Sequence, residues 1–226
     1  MTLDYGSFAK ASTLIHLVQG SALVLLGAAE AYSLDNPGRK AALAGPAALL
    51  LAAVAMPALI MALPAGWSLD GLRLALEVRR GFMIFFAFAC LFGAAGLSRL
   101  TQLALGKTNG GWQTMFFGFL VLIGLLYFLL PYRVNEEAMR EVLVWHAAVG
   151  ATLLLAVALK AAHSFSGRRA LHVAWAVLLM MAGLQLLTYQ ESPGSYGLRL
   201  VTMESAPPPV PALKNARPAD KERPAR

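Results

Sequence analysis

Two of the four histidines in this chain lie in matching contexts, although 130 positions separate them. His16 opens the stretch His-Leu-Val-Gln-Gly-Ser-Ala-Leu-Val-Leu, and His146 opens His-Ala-Ala-Val-Gly-Ala-Thr-Leu-Leu-Leu. Both stretches fit His-x-x-x-Gly-(Ser/Ala)-x-Leu-x-Leu, which places Gly20 and Gly150 about one helical turn after their histidines. Neutral imidazoles that face each other from two helices can be the axial ligands of a haem iron. The pair therefore predicts a haem site in which the two glycines make room for a porphyrin edge.

The composition places these histidines in a membrane protein. Hydrophobic residues make up 58% of the 226 residues and charged residues 14%, whereas a soluble domain has about 45–50% and about 25%. The apolar residues lie in runs of about 20, the length that crosses roughly 30 Å of hydrocarbon. We therefore expect an all-α integral membrane bundle of six transmembrane helices, with both ends of the bundle domain on one side.

The chain divides into a transmembrane domain, residues 1–190, and a tail, residues 191–226. The tail is rich in proline and basic residues, a composition that predicts disorder. Residues 69–80 place leucines at helical spacing between charges, as in a short helix that lies on the membrane surface. Pro57 is expected to kink the second apolar segment. The six apolar segments are expected at about 12–32, 41–63, 81–100, 112–130, 142–163 and 172–189.

Charge and cysteine content narrow the class further. The net charge of +7 arises in short loops and in the tail, so it indicates membrane lipids rather than nucleic acid as the partner of the basic residues. The single cysteine, Cys90, excludes a disulfide within the chain and a thiolate-bound metal cluster. The N-terminus lacks a basic n-region, so we expect no cleavable signal peptide. The basic residues of the short loops divide equally between the two sides of the membrane, six against six. The basic tail favours an orientation with both termini in the cytoplasm. The membrane is expected to be the cytoplasmic membrane.

Residues 112–160, about a fifth of the chain, resemble the last two core helices of the b-type cytochrome membrane subunits of formate dehydrogenases and nickel–iron hydrogenases. The resemblance lies in Pro131 at a helix end, the acidic pair Glu136-Glu137, and His146-Ala-Ala-Val-Gly150 before a Leu-rich run. It implies a haem-binding role for His146. The family usually has a second histidine about fourteen residues later, and Lys160 holds that position here.

His163 and His172 are the candidate ligands of a second haem site, because residues 41–130 contain no histidine. His163 lies seventeen residues after His146, a spacing near that in the similar gamma subunits of respiratory nitrate reductase. A simpler interpretation stays open for all four histidines, namely a helix-end residue bonded to a carbonyl, water or a lipid headgroup. Lys160 is expected to extend to the nearby membrane surface.

The function predicted from these features is membrane electron transfer by a b-type cytochrome-like protein. It would carry haem b, pass electrons between the quinone pool and a partner redox protein, and belong to a membrane complex. Phosphate loops, zinc-hydrolase helices and nucleophile elbows are absent, so any part in catalysis is expected to be as an electron-carrying subunit. One alternative is a small solute transporter or channel-like protein, with Gln19, Glu30 and Gln185 lining a path at the Pro57 kink. Another is a cofactor-free assembly subunit.

Overall fold

The computed structural model describes residues 5–36, 40–106, 110–191 and 195–196. Over these ranges the chain forms α-helices and short 3-10 turns, with no β-strand. Six of the helices are long and apolar enough to cross a membrane, so the predicted all-α, multi-pass bundle is confirmed. The helices are α1 (Tyr5–Asp35), α2 (Ala44–Ala62), α3 (Leu69–Val78), α4 (Met83–Leu105), α5 (Gly110–Tyr127), α6 (Glu136–Ser166) and α7 (Arg169–Thr188).

The two ends of the bundle differ in what they carry. We call the end where α1 begins and α7 finishes the terminal end, and the end with the α1–α2 and α6–α7 connections the far end. Helix α3 lies at the terminal end, between α2 and α4 in the chain. Its 10 residues extend about 15 Å, half of a hydrocarbon layer. The Ser68 hydroxyl caps this helix by accepting a 3.2 Å hydrogen bond from the Gly71 amide.

The six spanning helices pack in a closed ring in the order α1, α2, α4, α5, α6 and α7, and α7 packs back on α1. Helices α1 and α6, which carry His16 and His146, are therefore separated by α7 in the ring. They approach each other only through side chains that point into the ring's interior. Apolar side chains fill the rest of this interior, and Leu23, Leu153 and Trp175 among them are fully buried.

Gly20 and Gly150 allow neighbouring helices to approach closely, which corrects the expectation that they make room for a porphyrin edge. A β-carbon added to Gly20 would lie 2.7 Å from the carbonyl oxygen of Gly183 on α7. A β-carbon added to Gly150 would lie 2.7 Å from the carbonyl oxygen of Gly124 on α5. Gly20 is therefore required by the close packing of α1 against α7, and Gly150 by that of α6 against α5. Neither glycine faces the space between α1 and α6.

Two helices extend beyond the apolar segments that predicted them. Helix α1 begins at Tyr5 rather than near Ser12, and it runs for 31 residues. Helix α6 begins at Glu136 rather than near Val142, so most of the polar stretch 135–141 forms its first turns. Acidic side chains are favourable there, because the free N–H groups at a helix start carry partial positive charge. The hydrophobic runs of the sequence could not predict the first turns of these two helices, because those turns carry polar residues.

Residues beyond the predicted domain boundary at 190 also belong to the bundle. The side chain of Glu191 is 2% exposed, and Ser195 and Tyr196 are 0% and 2% exposed. All three pack at the terminal end, where Arg133 and Arg79 bond to this segment. The remainder of the predicted disordered tail lies outside the described residues.

Candidate functional site

The structure brings His16 and His146 together inside the terminal half of the bundle. Their Nε2 atoms lie 3.1 Å apart, and their ring planes are inclined at 53°. Both side chains are buried, at 0% and 1% exposure. Two imidazoles at this distance and depth form one unit, because burial leaves each facing nitrogen the other as its hydrogen-bond partner.

Hydrogen bonding on the outer side of the His146 ring determines which of its nitrogens carries the proton. The Nδ1 atom of His146 lies 2.7 Å from the carbonyl oxygen of Val142. A carbonyl only accepts, so His146 donates from Nδ1 and presents the lone pair of Nε2 to His16. The outer nitrogen of His16, Nδ1, faces the Glu191 carboxylate at 3.8 Å. It has no hydrogen-bond partner among the described residues.

The carboxylate of Glu191 favours a proton on Nδ1 of His16, because an unprotonated nitrogen beside it would be repelled. A proton on Nδ1 of His16 would leave two Nε2 lone pairs facing each other across 3.1 Å, whereas a proton on its Nε2 makes this contact a hydrogen bond donated to His146. Facing lone pairs repel unless a shared proton or a metal ion lies between them. The pair thus has the donor chemistry of a two-imidazole ligand set.

Aromatic rings surround the two imidazoles. The Tyr189 ring lies 4.9 Å from the His16 ring and 4.7 Å from the His146 ring. Tyr127 stacks beside His146, with ring centroids 6.3 Å apart, and Phe85 lies edge-on to His16 at 6.2 Å. These rings shield the pair from water on the sides where they pack.

A buried ionic group closes the terminal end below His16. Arg133 donates to Glu191 at 2.5 Å and to the Ser12 hydroxyl at 2.7 Å. Ser12 in turn donates to Glu191 at 2.5 Å, and the Tyr189 hydroxyl donates to the same carboxylate at 3.1 Å. Burial raises the pKa of Tyr189, so its phenol keeps the proton that it donates. This group fixes the carboxylate that faces His16.

Sequence reasoning missed Ser12 and Glu191 as site residues, and it counted Arg133 only as a topology charge. Glu191 fell beyond the predicted domain boundary. Arg133 contacts Ser12 across 121 positions and Glu191 across 58, so no local pattern connects them. The one available signal was a charged residue beside Pro131, at the end of an apolar segment.

Gln19, one turn from the site on α1, is also fully buried. It accepts a 3.2 Å hydrogen bond from the Tyr127 hydroxyl and donates to the Met56 sulfur at 3.2 Å. These bonds tie Gln19 into the packing around the imidazoles. The oxygen of Gln185, the third residue of the predicted transport path, has no partner among the described residues.

A second polar group lies near the far end and is centred on Glu30. This carboxylate pairs with Arg99, lies 3.7 Å from the Lys160 ammonium and 3.4 Å from Nε2 of His172. Trp175 also donates to it, at 3.4 Å. These five residues, from α1, α4, α6 and α7, are called the far-end cluster below. The other four residues supply the positive charge and the hydrogen bond that the Glu30 carboxylate needs, because a carboxylate is costly to bury alone.

Lys160 does not extend to the membrane surface, which corrects the prediction made for it. It is 8% exposed, and its ammonium lies 3.0 Å from Nδ1 of His172. The reason is the Glu30 carboxylate, which supplies a buried counter-charge at the same level.

The second predicted histidine pair comes together without forming a free ligand set. The rings of His163 and His172 lie 5.1 Å apart in a T-shaped arrangement. Both nitrogens of His172 lie within 3.4 Å of the Lys160 ammonium, and Nδ1 of His163 donates to the Arg168 carbonyl. His172 therefore belongs to the far-end cluster rather than to a metal site shared with His163.

The ligand chemistry at His16 and His146 suits a metal that brings its own equatorial ligands. No group of three or more histidine, cysteine or acidic side chains in the described ranges could hold a bare ion. A haem needs only two protein ligands, and the two Nε2 atoms supply them. Two metal–nitrogen bonds of about 2 Å each require the Nε2 atoms to stand about 4 Å apart, so the observed pair has to open by about 1 Å. The donor set fits the iron, but Tyr189, Tyr127 and Phe85 fill the space that the macrocycle would need, and the glycines do not frame it.

Comparisons with protein-family models, with curated proteins and with solved structures found no match to this chain.

Proposed function

We propose that this protein is a membrane electron carrier that binds haem b between His16 and His146. It exchanges electrons between the quinone pool and a partner redox protein in the cytoplasmic membrane. The observation that supports this most directly is the convergence of two buried Nε2 atoms, 3.1 Å apart, from non-adjacent helices. The Val142 carbonyl orients His146 so that its lone pair faces the partner ring.

In this proposal the haem supplies the one-electron chemistry, and the chain supplies ligands and surroundings. His16 and His146 hold the iron. Glu191 places its carboxylate 3.8 Å from the outer nitrogen of His16, the position from which carboxylates commonly orient metal-bound imidazoles. Tyr127 and Phe85 pack beside the pair, and Tyr189 would have to move away from both imidazoles to admit a porphyrin.

Solute transport is the alternative that the buried polar residues Gln19 and Glu30 would favour. Along α1 they are separated by eleven positions, or about 16 Å. Leu23 and Leu26 lie between them and are fully buried, so the intervening interior is apolar. This packing gives less support to a polar path than the histidine pair gives to a haem site.

The test is a reduced-minus-oxidised visible spectrum of the purified full-length protein, expressed with ample haem. Wild type, His16→Ala, His146→Ala and the control His163→Ala are compared. We expect a b-type alpha band in wild type and His163→Ala, and its loss in the other two variants. A wild-type protein without the band would overturn the proposal, and a band that survives both substitutions would move the haem elsewhere.

A further inference from the structure

The far-end cluster holds more positive than negative charge. Glu30 is its carboxylate, and Arg99 and Lys160 are its two cations when both are protonated. Arg99 pairs with one carboxylate oxygen, and the Lys160 ammonium lies 3.7 Å from the other. One carboxylate against two cations leaves one positive charge in excess, which is costly to hold away from water. The release of a single proton brings the cluster to neutrality.

Lys160 and His172 are placed to handle that proton. The Nζ atom of Lys160 lies 3.0 Å from Nδ1 of His172, and Nε2 of the same ring lies 3.4 Å from the Glu30 carboxylate. A proton on Nε2 therefore faces a carboxylate, while the lone pair of Nδ1 faces Lys160. An ammonium donates an N–H to this lone pair, and a neutral amine still has N–H groups with which to do so. The contact is thus satisfied both before and after Lys160 releases its proton.

The two side chains lie close to the far-end surface. Lys160 is six positions before the last residue of α6, and His172 is three positions after the first residue of α7. These spacings correspond to about 9 Å and about 5 Å along the helix axes. Their side chains are 10% and 11% exposed, and the partly exposed His163 ring lies 5.1 Å from that of His172. The pair is therefore within reach of water at this end.

The opposite side of the cluster is apolar. Towards the histidine pair the interior is filled by Leu23 and Leu26 of α1 and by Leu153 and Ala156 of α6, each at 0% exposure. Helix α2 contains no titratable side chain, and the only one in α5 is Tyr127, beside His146. A proton finds no acceptor in this apolar layer, and bare charge in hydrocarbon is costly. The cluster is therefore closed towards the terminal half of the bundle.

The other charged groups described at the far end lie on its surface. Asp35 pairs with Arg169 at 2.7 Å, and both side chains are more than 60% exposed. Lys40 and Arg168 are also exposed. Solvent and salt screen charges in such positions. Inside the cluster, Arg99 keeps its proton throughout, so the change in buried charge falls on the remaining members.

We propose that Lys160, His172 and Glu30 form a proton-binding site that exchanges one proton with water at the far end. On release, an N–H bond of the Lys160 ammonium breaks, the proton passes to water, and a neutral amine remains. Uptake is the reverse step. The charge inside the bundle thus follows the pH on one side of the membrane. The inference does not depend on haem, because Glu30 lies fourteen positions from His16 on α1, or about 21 Å.

Trp175 supplies an optical probe of this site, because its buried indole N–H donates to Glu30 at 3.4 Å. The full-length protein is prepared without haem, which would quench indole emission. The substitutions Trp67→Phe, Trp112→Phe and Trp145→Phe leave Trp175 as the one tryptophan. Emission of this probe protein is then recorded in detergent as a function of pH.

The deciding variant is Lys160→Arg in the probe protein, because a guanidinium keeps the positive charge and does not release a proton. Lys160→Gln is a second, smaller replacement, and Arg168→Gln is the exposed control at the same end. We expect a one-proton change of emission in the probe protein and in Arg168→Gln, and its loss in both Lys160 variants. A probe protein without the transition, or a transition that persists unchanged in either folded Lys160 variant, would overturn the site.

The side of exchange is measured with the probe protein in sealed liposomes. Protease removal of a C-terminal tag, which follows α7 at the terminal end, gives the fraction of chains whose far end faces inward. After a pH jump outside, we expect the rapid part of the Trp175 change to equal the fraction with a protected tag. The remainder should follow when an ionophore equalises the pH. A rapid response of all chains, or of those with an accessible tag, would overturn the assignment to the far end.

Discussion

The Nε2 atoms of His16 and His146 lie 3.1 Å apart although their helices are not neighbours in the ring. Helix α7 lies between α1 and α6 on the perimeter, so the contact is made entirely through the interior. The Val142 carbonyl on one side and the Glu191 carboxylate on the other favour protons on the outer nitrogens. The two facing Nε2 atoms are the basis of the predictions about haem, and the two stability predictions do not depend on them.

The Glu191 carboxylate is expected to lower the reduction potential of a haem bound at His16, because negative charge beside a ligand stabilises the oxidised iron. Glu191→Gln removes that charge and leaves the Arg133 cation unpaired, and both changes favour the reduced state. We predict a higher midpoint potential in a redox titration of the alpha band. Glu141→Gln, an exposed change at the same end, should leave it unaltered. A midpoint that is unchanged or lower in Glu191→Gln would contradict this assignment.

The far-end cluster is expected to contribute strongly to stability. Glu30→Gln leaves the partly buried Arg99 and the buried Lys160 without a carboxylate, a loss of about 3–5 kcal/mol for a buried pair broken on one side. Glu77→Gln breaks only the exposed pair with Arg73 and should cost less than about 1 kcal/mol. Thermal unfolding in detergent compares the two variants. Equal losses of stability in the two variants would contradict the contribution to stability assigned to the far-end cluster.

The close approach of α1 and α7 predicts an effect that is independent of any cofactor. Gly20→Ala places a methyl group 2.7 Å from the Gly183 carbonyl oxygen, which should destabilise the bundle by about 1–3 kcal/mol through overpacking. Gly118→Ala is the matched control, because no atom lies within 4 Å of the position of its β-carbon. Unfolding of haem-free protein makes the comparison. If Gly20→Ala lowers only haem binding, the glycine frames the cofactor after all.

Much of the fold was predictable, because a helix that crosses a membrane needs a long apolar run and six such runs are visible. The first residues of α1 and α6 could not be predicted in this way, because polar first turns such as Glu136–Arg140 contain no apolar run. A repeated His-x-x-x-Gly pattern was enough to suggest that His16 and His146 belong together. It could not show that α7 lies against Gly20, because helix neighbours depend on the whole ring.

The surroundings of the site were harder to predict than its centre. Ser12 and Glu191 meet across 179 positions, and only the folded chain brings them together. The Glu30–Lys160 pair did leave a signal, because opposite charges follow the two histidines at the same fourteen-residue interval. Treating Lys160 alone, as a residue near a helix end, hid that relationship.

The central claim is that His16 and His146 are the two axial ligands of one haem iron. Low-temperature electron paramagnetic resonance of the oxidised protein tests this most directly, with His16→Gly and His146→Gly measured with and without added imidazole. We predict low-spin ferric haem in wild type, high-spin haem in each variant, and return to low spin when imidazole is added. A high-spin wild type, or variants that remain low-spin without imidazole, would contradict the account.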